Sequence, residues 1–71
     1  MTSYEEIRKQ LEDAGVAVPC TGKNEDGETT IIEGGVDDNG LFYRITTCQN
    51  NDWCRINTYY KNGDITETFK K

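Results

Sequence analysis

The 71-residue chain has no histidine and one proline, and no apolar run approaches the length of a membrane span. Without histidine, the usual base for a serine or cysteine nucleophile is missing. Three cysteines fall short of the four Cys or His ligands that a structural zinc site normally needs. No G-x-S-x-G, Walker or G-x-G-x-x-G string occurs, and Gly34-Gly35 followed by Gly40 has loop spacing. Basic residues are few: 8 against 13 acids, a net charge of −5. A broad phosphate-binding surface is disfavoured on that count. A chain this short buries only about 60% of the surface its unfolded form exposes, leaving no room for a deep enclosed active site. The expectation is a non-enzyme without cofactor or metal. The charged N-terminus MTSYEEIRKQ is unlike a signal peptide, so a cytoplasmic location and no membrane association are expected.

What is present patterns as a single small α+β domain over residues 1–71. The composition is polar, with 34% hydrophobic residues, but aromatics at 10% and a scatter of Ile and Val exceed what a disordered chain carries. Ser3 and Glu6 stand at capping-box spacing, while Tyr4, Ile7, Leu11 and Ala14 recur at helical steps and Gly15 supplies a stop. A helix of about three turns is marginal alone in water, so its stripe must dock on something. Val16-Ala17-Val18 alternates and ends at Pro19, which reads as a short fifth, edge strand near residues 16–18. Thr21 to Glu28 reads as a polar, mobile loop.

From Glu28 onward the sequence is β. Runs rich in β-branched and aromatic residues lie between turn signals at Asp37-Asp38-Asn39-Gly40, Asn50-Asn51-Asp52 and Asn62-Gly63. Two-residue turns at Asn50-Asn51 and Asn62-Gly63 pair Ile45 with Ile56 and Tyr60 with Ile65. One face then gathers Ile32, Val36, Leu41, Tyr43, Ile45, Cys54, Ile56, Tyr60, Ile65 and Phe69. The architecture expected is an N-terminal helix packed on that face of a four-stranded antiparallel β-meander.

The same register puts Phe42, Arg44, Trp53, Arg55 and Tyr59 together on the opposite face, with Ile31, Thr46, Cys48, Asn57, Thr66, Thr68 and Lys70 around them. One helix cannot cover both faces. Aromatics with arginine on an open surface are what protein interfaces enrich, so these five are the candidate protein-binding residues. The competing reading is cross-strand support of a half-exposed sheet. Stacking of single-stranded nucleic acid needs more cations than Arg44, Arg55 and Lys70 provide. In this register Cys48 and Cys54 point to opposite faces, giving three free thiols. A three-residue turn over 50–52 would instead set them side by side.

Two further motifs are weaker. Gly22 to Glu33 places Asn24, Asp26, Gly27 and Glu33 at calcium-loop positions, but Gly22 stands where the first acidic ligand is required. Glu5, Glu6, Glu12 and Asp13 make the helix surface acidic, which suits either solubility or a basic partner. In size, charge and lack of a catalytic set the chain is similar in kind to small phage-encoded inhibitors of host defence, including anti-CRISPR proteins. That likeness lies in overall profile, and no motif carries it. The function expected is a protein-binding module that occupies a surface on a larger protein partner. The alternatives are an orphan structural domain and an acidic inhibitor that mimics nucleic acid.

Overall fold

The computed structural model describes residues 2–49 and 52–71. Helix α1 spans Tyr4–Ala14, and five strands follow: β1 Cys20–Lys23, β2 Thr29–Asp37, β3 Gly40–Gln49, β4 Trp53–Tyr60 and β5 Ile65–Lys70. They form one antiparallel sheet in the order β1-β2-β3-β4-β5. The α+β meander is as expected, with five strands in place of four. The additional strand is not at 16–18: it is Cys20–Lys23, whose polar residues pair with Thr29 to Ile32 of β2. The segment read as a mobile loop is therefore half strand and half tight turn. In that turn Asn24 Oδ1 accepts from the amides of Asp26 and Glu28, both at 3.0 Å.

The helix begins and ends where its sequence says. Ser3 Oγ accepts from the Glu6 amide at 3.3 Å. At the other end Gly15 adopts the left-handed conformation, and the Gly15 and Val16 amides donate to the carbonyls of Glu12 and Leu11. That pairing is a Schellman cap, which satisfies the last carbonyls without a further turn. Ile7 is the buried residue of the helix at 3% exposure, and the Tyr4 ring stacks on Tyr43 of β3 with centroids 4.8 Å apart. The helix thus covers the middle of one sheet face.

The register departs from expectation at β4. Cys48 lies opposite Cys54, Thr46 opposite Ile56, and Tyr59 opposite Ile65. Both hairpins around β4 have three-residue connections. Gln49 pairs with Trp53, and the Asp52 amide donates to the Gln49 carbonyl at 2.7 Å; Asn50 and Asn51, where a two-residue turn was expected, lie outside the described residues. In the next hairpin the Gly63 amide donates to the Tyr60 carbonyl and Tyr60 N–H to the Asp64 carbonyl. Gly63 has φ +101°, so Asn62-Gly63 is the end of a type I turn closed by a left-handed glycine, not a two-residue turn. The Asn62 carboxamide is engaged in holding that form: its oxygen accepts from the Asp64 amide at 2.9 Å and its nitrogen donates to Asn39 Oδ1 at 3.0 Å.

Each three-residue turn shifts pairing by one residue, and the two shifts cancel across β4. Strands β2, β3 and β5 keep the faces expected of them, and β4 alone is inverted. Ile32, Val36, Leu41, Tyr43, Ile45, Ile65 and Phe69 share the helix side, whereas Cys54, Ile56 and Tyr60 move to the open side. The inversion also corrects the expectation of three free thiols. Cys48 and Cys54 are a directly opposed pair with Cα atoms 4.1 Å apart, and they form a disulfide; Cys20 is the free cysteine.

Two measurements check this arrangement. Under denaturing, non-reducing conditions the chain should show one reactive thiol; three would contradict the β3–β4 pairing. Replacing both Cys48 and Cys54 by serine should lower stability by about 2 kcal/mol through the lost constraint on the unfolded chain. Ile7→Ala should cost about 2–5 kcal/mol in a urea melt. Val36→Ala, at a site 70% exposed, should stay within about 0.5 kcal/mol.

Candidate functional site

The inversion of β4 divides the five candidate residues between two faces. Phe42 and Arg44 lie on the open face as expected. Trp53, Arg55 and Tyr59 lie on the helix side, on the flank of the sheet that the helix leaves uncovered. The single aromatic-arginine surface expected from the sequence is therefore two surfaces of different character.

On the helix side, β4 and β5 present a ladder of paired side chains. Phe69 is opposite Arg55, Glu67 opposite Asn57, and Ile65 opposite Tyr59. The Trp53 and Phe69 rings stack at 5.4 Å and 19°, and the Arg55 guanidinium lies 5.7 Å from the Trp53 ring centre. Such a stack fixes the rings by their mutual contact and by cation–π attraction. Trp53 Nε1 donates to Gln49 Oε1 at 2.9 Å, and Asn57 Nδ2 donates to Glu67 Oε2 at 2.9 Å, so the polar atoms along this strip are held in place. The strip remains open to solvent at β5, where Phe69 is 58% exposed and Ile65 50%, while Trp53 is half-buried. At the far end of the same face Val36 and Leu41 pair across β2 and β3, both exposed. Phe69 and Ile65 were assigned to the core from the sequence. They are uncovered because the helix packs against β3 and does not extend over β5. Their position on the last strand of a sheet with one short helix is the signal that marks them as surface.

The open face is sealed by its own side chains. Phe42 pairs across the strands with Gly35, and its ring occupies the space a side chain there would fill: a Cβ at Gly35 would lie 2.7 Å from the ring. Arg44 covers the ring from above at 4.7 Å, and Tyr60 meets it edge-on at 5.7 Å. Phe42 is only 9% exposed as a result, which removes it from direct contact with a partner. Arg44 Nε donates to Thr58 Oγ1 at 3.3 Å, and Tyr60 Oη donates to Asp37 Oδ2 at 2.8 Å.

Among the described residues no three His, Cys, Asp or Glu side chains are grouped to hold a metal ion. Asn24, the calcium-loop candidate, has its carbonyl engaged by backbone amides, and Glu33 stands within β2. On the helix, Arg8 bridges Glu5 at 3.7 Å and Glu12 at 3.2 Å, which dilutes the acidic field there. Among the described residues no helix is long and apolar enough to cross a membrane.

The Tyr60–Asp37 contact has a titration signature. The hydrogen bond to Asp37 raises the Tyr60 pKa above its ordinary value of 10.0, aided by desolvation and by the Asp37 charge. The folded state thus holds this proton more tightly than the unfolded chain, so the contact stabilises below pH 10 and that contribution fades as pH rises through the higher folded value. In an ultraviolet titration one of the four tyrosines should ionise later than the rest. Asp37→Ala should return it to the ordinary range; an unchanged curve would remove the contact. Compared with known proteins, the chain matches no family model, no curated protein and no solved structure, so its function is read from these two surfaces alone.

Proposed function

We propose that the chain is a non-catalytic protein-binding module, which occupies a surface on a larger protein partner through the helix-side flank of β4 and β5. One observation carries this reading. Among the described residues, four of the five exposed large hydrophobics, Val36, Leu41, Ile65 and Phe69, share a single sheet face, and the fifth, Val16, follows the cap of the helix that partly covers it. Scattered apolar residues are ordinary on a surface, whereas gathering on one face marks an interaction site. The Trp53–Phe69 stack with Arg55 adds the residue types that dominate binding energy at interfaces. These side chains are ordered by one another before any partner arrives, so little conformational freedom remains to be lost on docking.

Partner occlusion of this kind needs no catalytic group, which agrees with the absence of histidine. A small acidic inhibitor, of the sort phages direct at host defence, is one form such a module takes. The nucleic-acid-mimicking alternative draws on the helix acids, and the pairing of Arg8 with Glu5 and Glu12 weighs against it.

Comparative capture from a native lysate tests the reading. With a partner in hand, Trp53→Ala and Phe69→Ala together should weaken its binding by at least about thirtyfold, the equivalent of one interface hot spot. The far-ultraviolet spectrum should be retained. Charge reversals at Glu5, Glu12 and Asp13 should act mainly on the salt-sensitive association rate. Intact affinity in the aromatic variant, with loss in the helix reversals, would replace this reading with the acidic one.

A further inference from the structure

We propose a second binding site on the open face: a cationic groove that receives an acidic peptide in extended conformation. The groove, about 300 Å³ in volume, is floored by Ile56, Thr58, Thr66 and Thr68 and bounded by Arg44 and Lys70. The site lies on the other face of the sheet from the helix-side surface, and Lys70 at its end also borders Trp53.

Charge distribution is the first argument. The chain carries 13 acids, and none of them lines this groove, which has two cations on its walls. The setting of Arg44 is the second. Its direct cross-strand neighbour on β2 is Glu33, yet among the described residues the two form no ion pair. The guanidinium is drawn instead toward β4, where Nε bonds Thr58 and the plane rests on Phe42. One of its five N–H donors is thereby used, and the terminal nitrogens remain free of any acid of this chain. Asp37, the carboxylate at the Tyr60 rim, is taken up by the Tyr60 hydroxyl.

Dimensions and chemistry select the ligand class. Arg44 and Lys70 stand two strands apart and four positions apart along the ladder, about 10 Å by about 13 Å between backbones. The Arg44 guanidinium leans over Phe42, away from Lys70, so the two charges mark opposite ends of the strip. An extended peptide repeats on one face every ~7 Å, so carboxylates four residues apart, about 14 Å, match the spacing of the two cations. Threonine hydroxyls between them both donate and accept, which suits peptide N–H and C=O groups. Single-stranded nucleic acid is the weaker fit, because stacking needs free aromatic faces. Phe42 is covered and the Tyr60 hydroxyl is tied to Asp37.

The test is an NMR titration of the isotope-labelled chain with the capped peptide acetyl-EVEVE-amide at low ionic strength. Amide shifts should concentrate at Thr58, Thr66, Thr68 and Lys70, and binding should weaken as salt approaches ~0.1 M. Lys70→Gln, at an exposed position, should weaken binding about two- to fivefold, and Arg44→Gln by a similar factor. Val36→Ala, on the other face, should leave it unchanged. Absence of shifts, shifts centred elsewhere, equal binding of acetyl-KVKVK-amide, or full affinity in Lys70→Gln would each overturn the site. Inorganic phosphate reproducing the whole pattern at equal concentration would reduce it to a small-anion site and overturn the peptide assignment. Tighter binding of oligo-dT on the same strip would overturn it in favour of nucleic acid.

Discussion

The two sides of this sheet differ because β4 is held in one register, and the closing glycine of the β4–β5 turn and the Cys48–Cys54 bridge hold it there. A strand alternates its side chains with a period of two, so a slip of one residue exchanges its faces completely. Gly63 at φ +101° permits the three-residue connection, and Asn62 ties that connection to Asn39 on the neighbouring turn. At the opposite end of β4, the disulfide fixes Cys54 across from Cys48. With β4 clamped at both ends, Trp53, Arg55 and Tyr59 face the helix side, and Ile56, Thr58 and Tyr60 face the groove. The apolar flank and the cationic groove both follow from that placement.

Packing explains why such clamps are needed. The strongly buried apolar residues are Ile7 on the helix side and Phe42 on the open side. A core so thin leaves much of the fold to contacts between pairs: Trp53 on Phe69 and Phe42 above Gly35 across the strands, and Tyr4 of the helix on Tyr43. Individual pairs of this kind contribute about 0.2–1 kcal/mol, small beside a large buried side chain but repeated along the ladder. A covalent link within β3–β4 adds to them by restricting the unfolded chain. The helix docks by few residues and leaves apolar surface uncovered beside it, and that surplus is the basis of the proposed interface.

Much of the fold was legible from the residues. Ser3 and Gly15 mark the helix ends because capping chemistry is local, and the turn signal at residues 37–40 puts Ile32, Val36 and Ile45 on one face, though not their exact pairing. The register of β4 was not legible, for a definite reason. WCRINTYY carries apolar residues at both parities, Trp53 and Tyr59 on one and Cys54, Ile56 and Tyr60 on the other, so hydrophobic pattern does not choose between them. Asn-Gly favours a two-residue turn but also serves at the end of a type I turn closed by glycine, and the side-chain bonds of Asn62 select the second form. β1 escaped notice because Thr21, Gly22 and Lys23 have no strand pattern; pairing with β2 makes them a strand. Of the candidate surface, residue types singled out Trp53, Arg55 and Tyr59, while the place of Phe69 beside them and the separation of Phe42 and Arg44 from them depended on register.

The register itself is open to direct observation through short distances between α-protons on β3 and β4. The Cys48–Cys54 pair, with Cα atoms 4.1 Å apart, belongs to the close, non-hydrogen-bonded set, and alternate pairs along the ladder share that geometry. Strong α-proton nuclear Overhauser effects should therefore connect Thr46 with Ile56 and Arg44 with Thr58. Such effects between Ile45 and Ile56, or between Tyr43 and Thr58, would put β4 in the opposite register and dissolve both the aromatic flank and the groove.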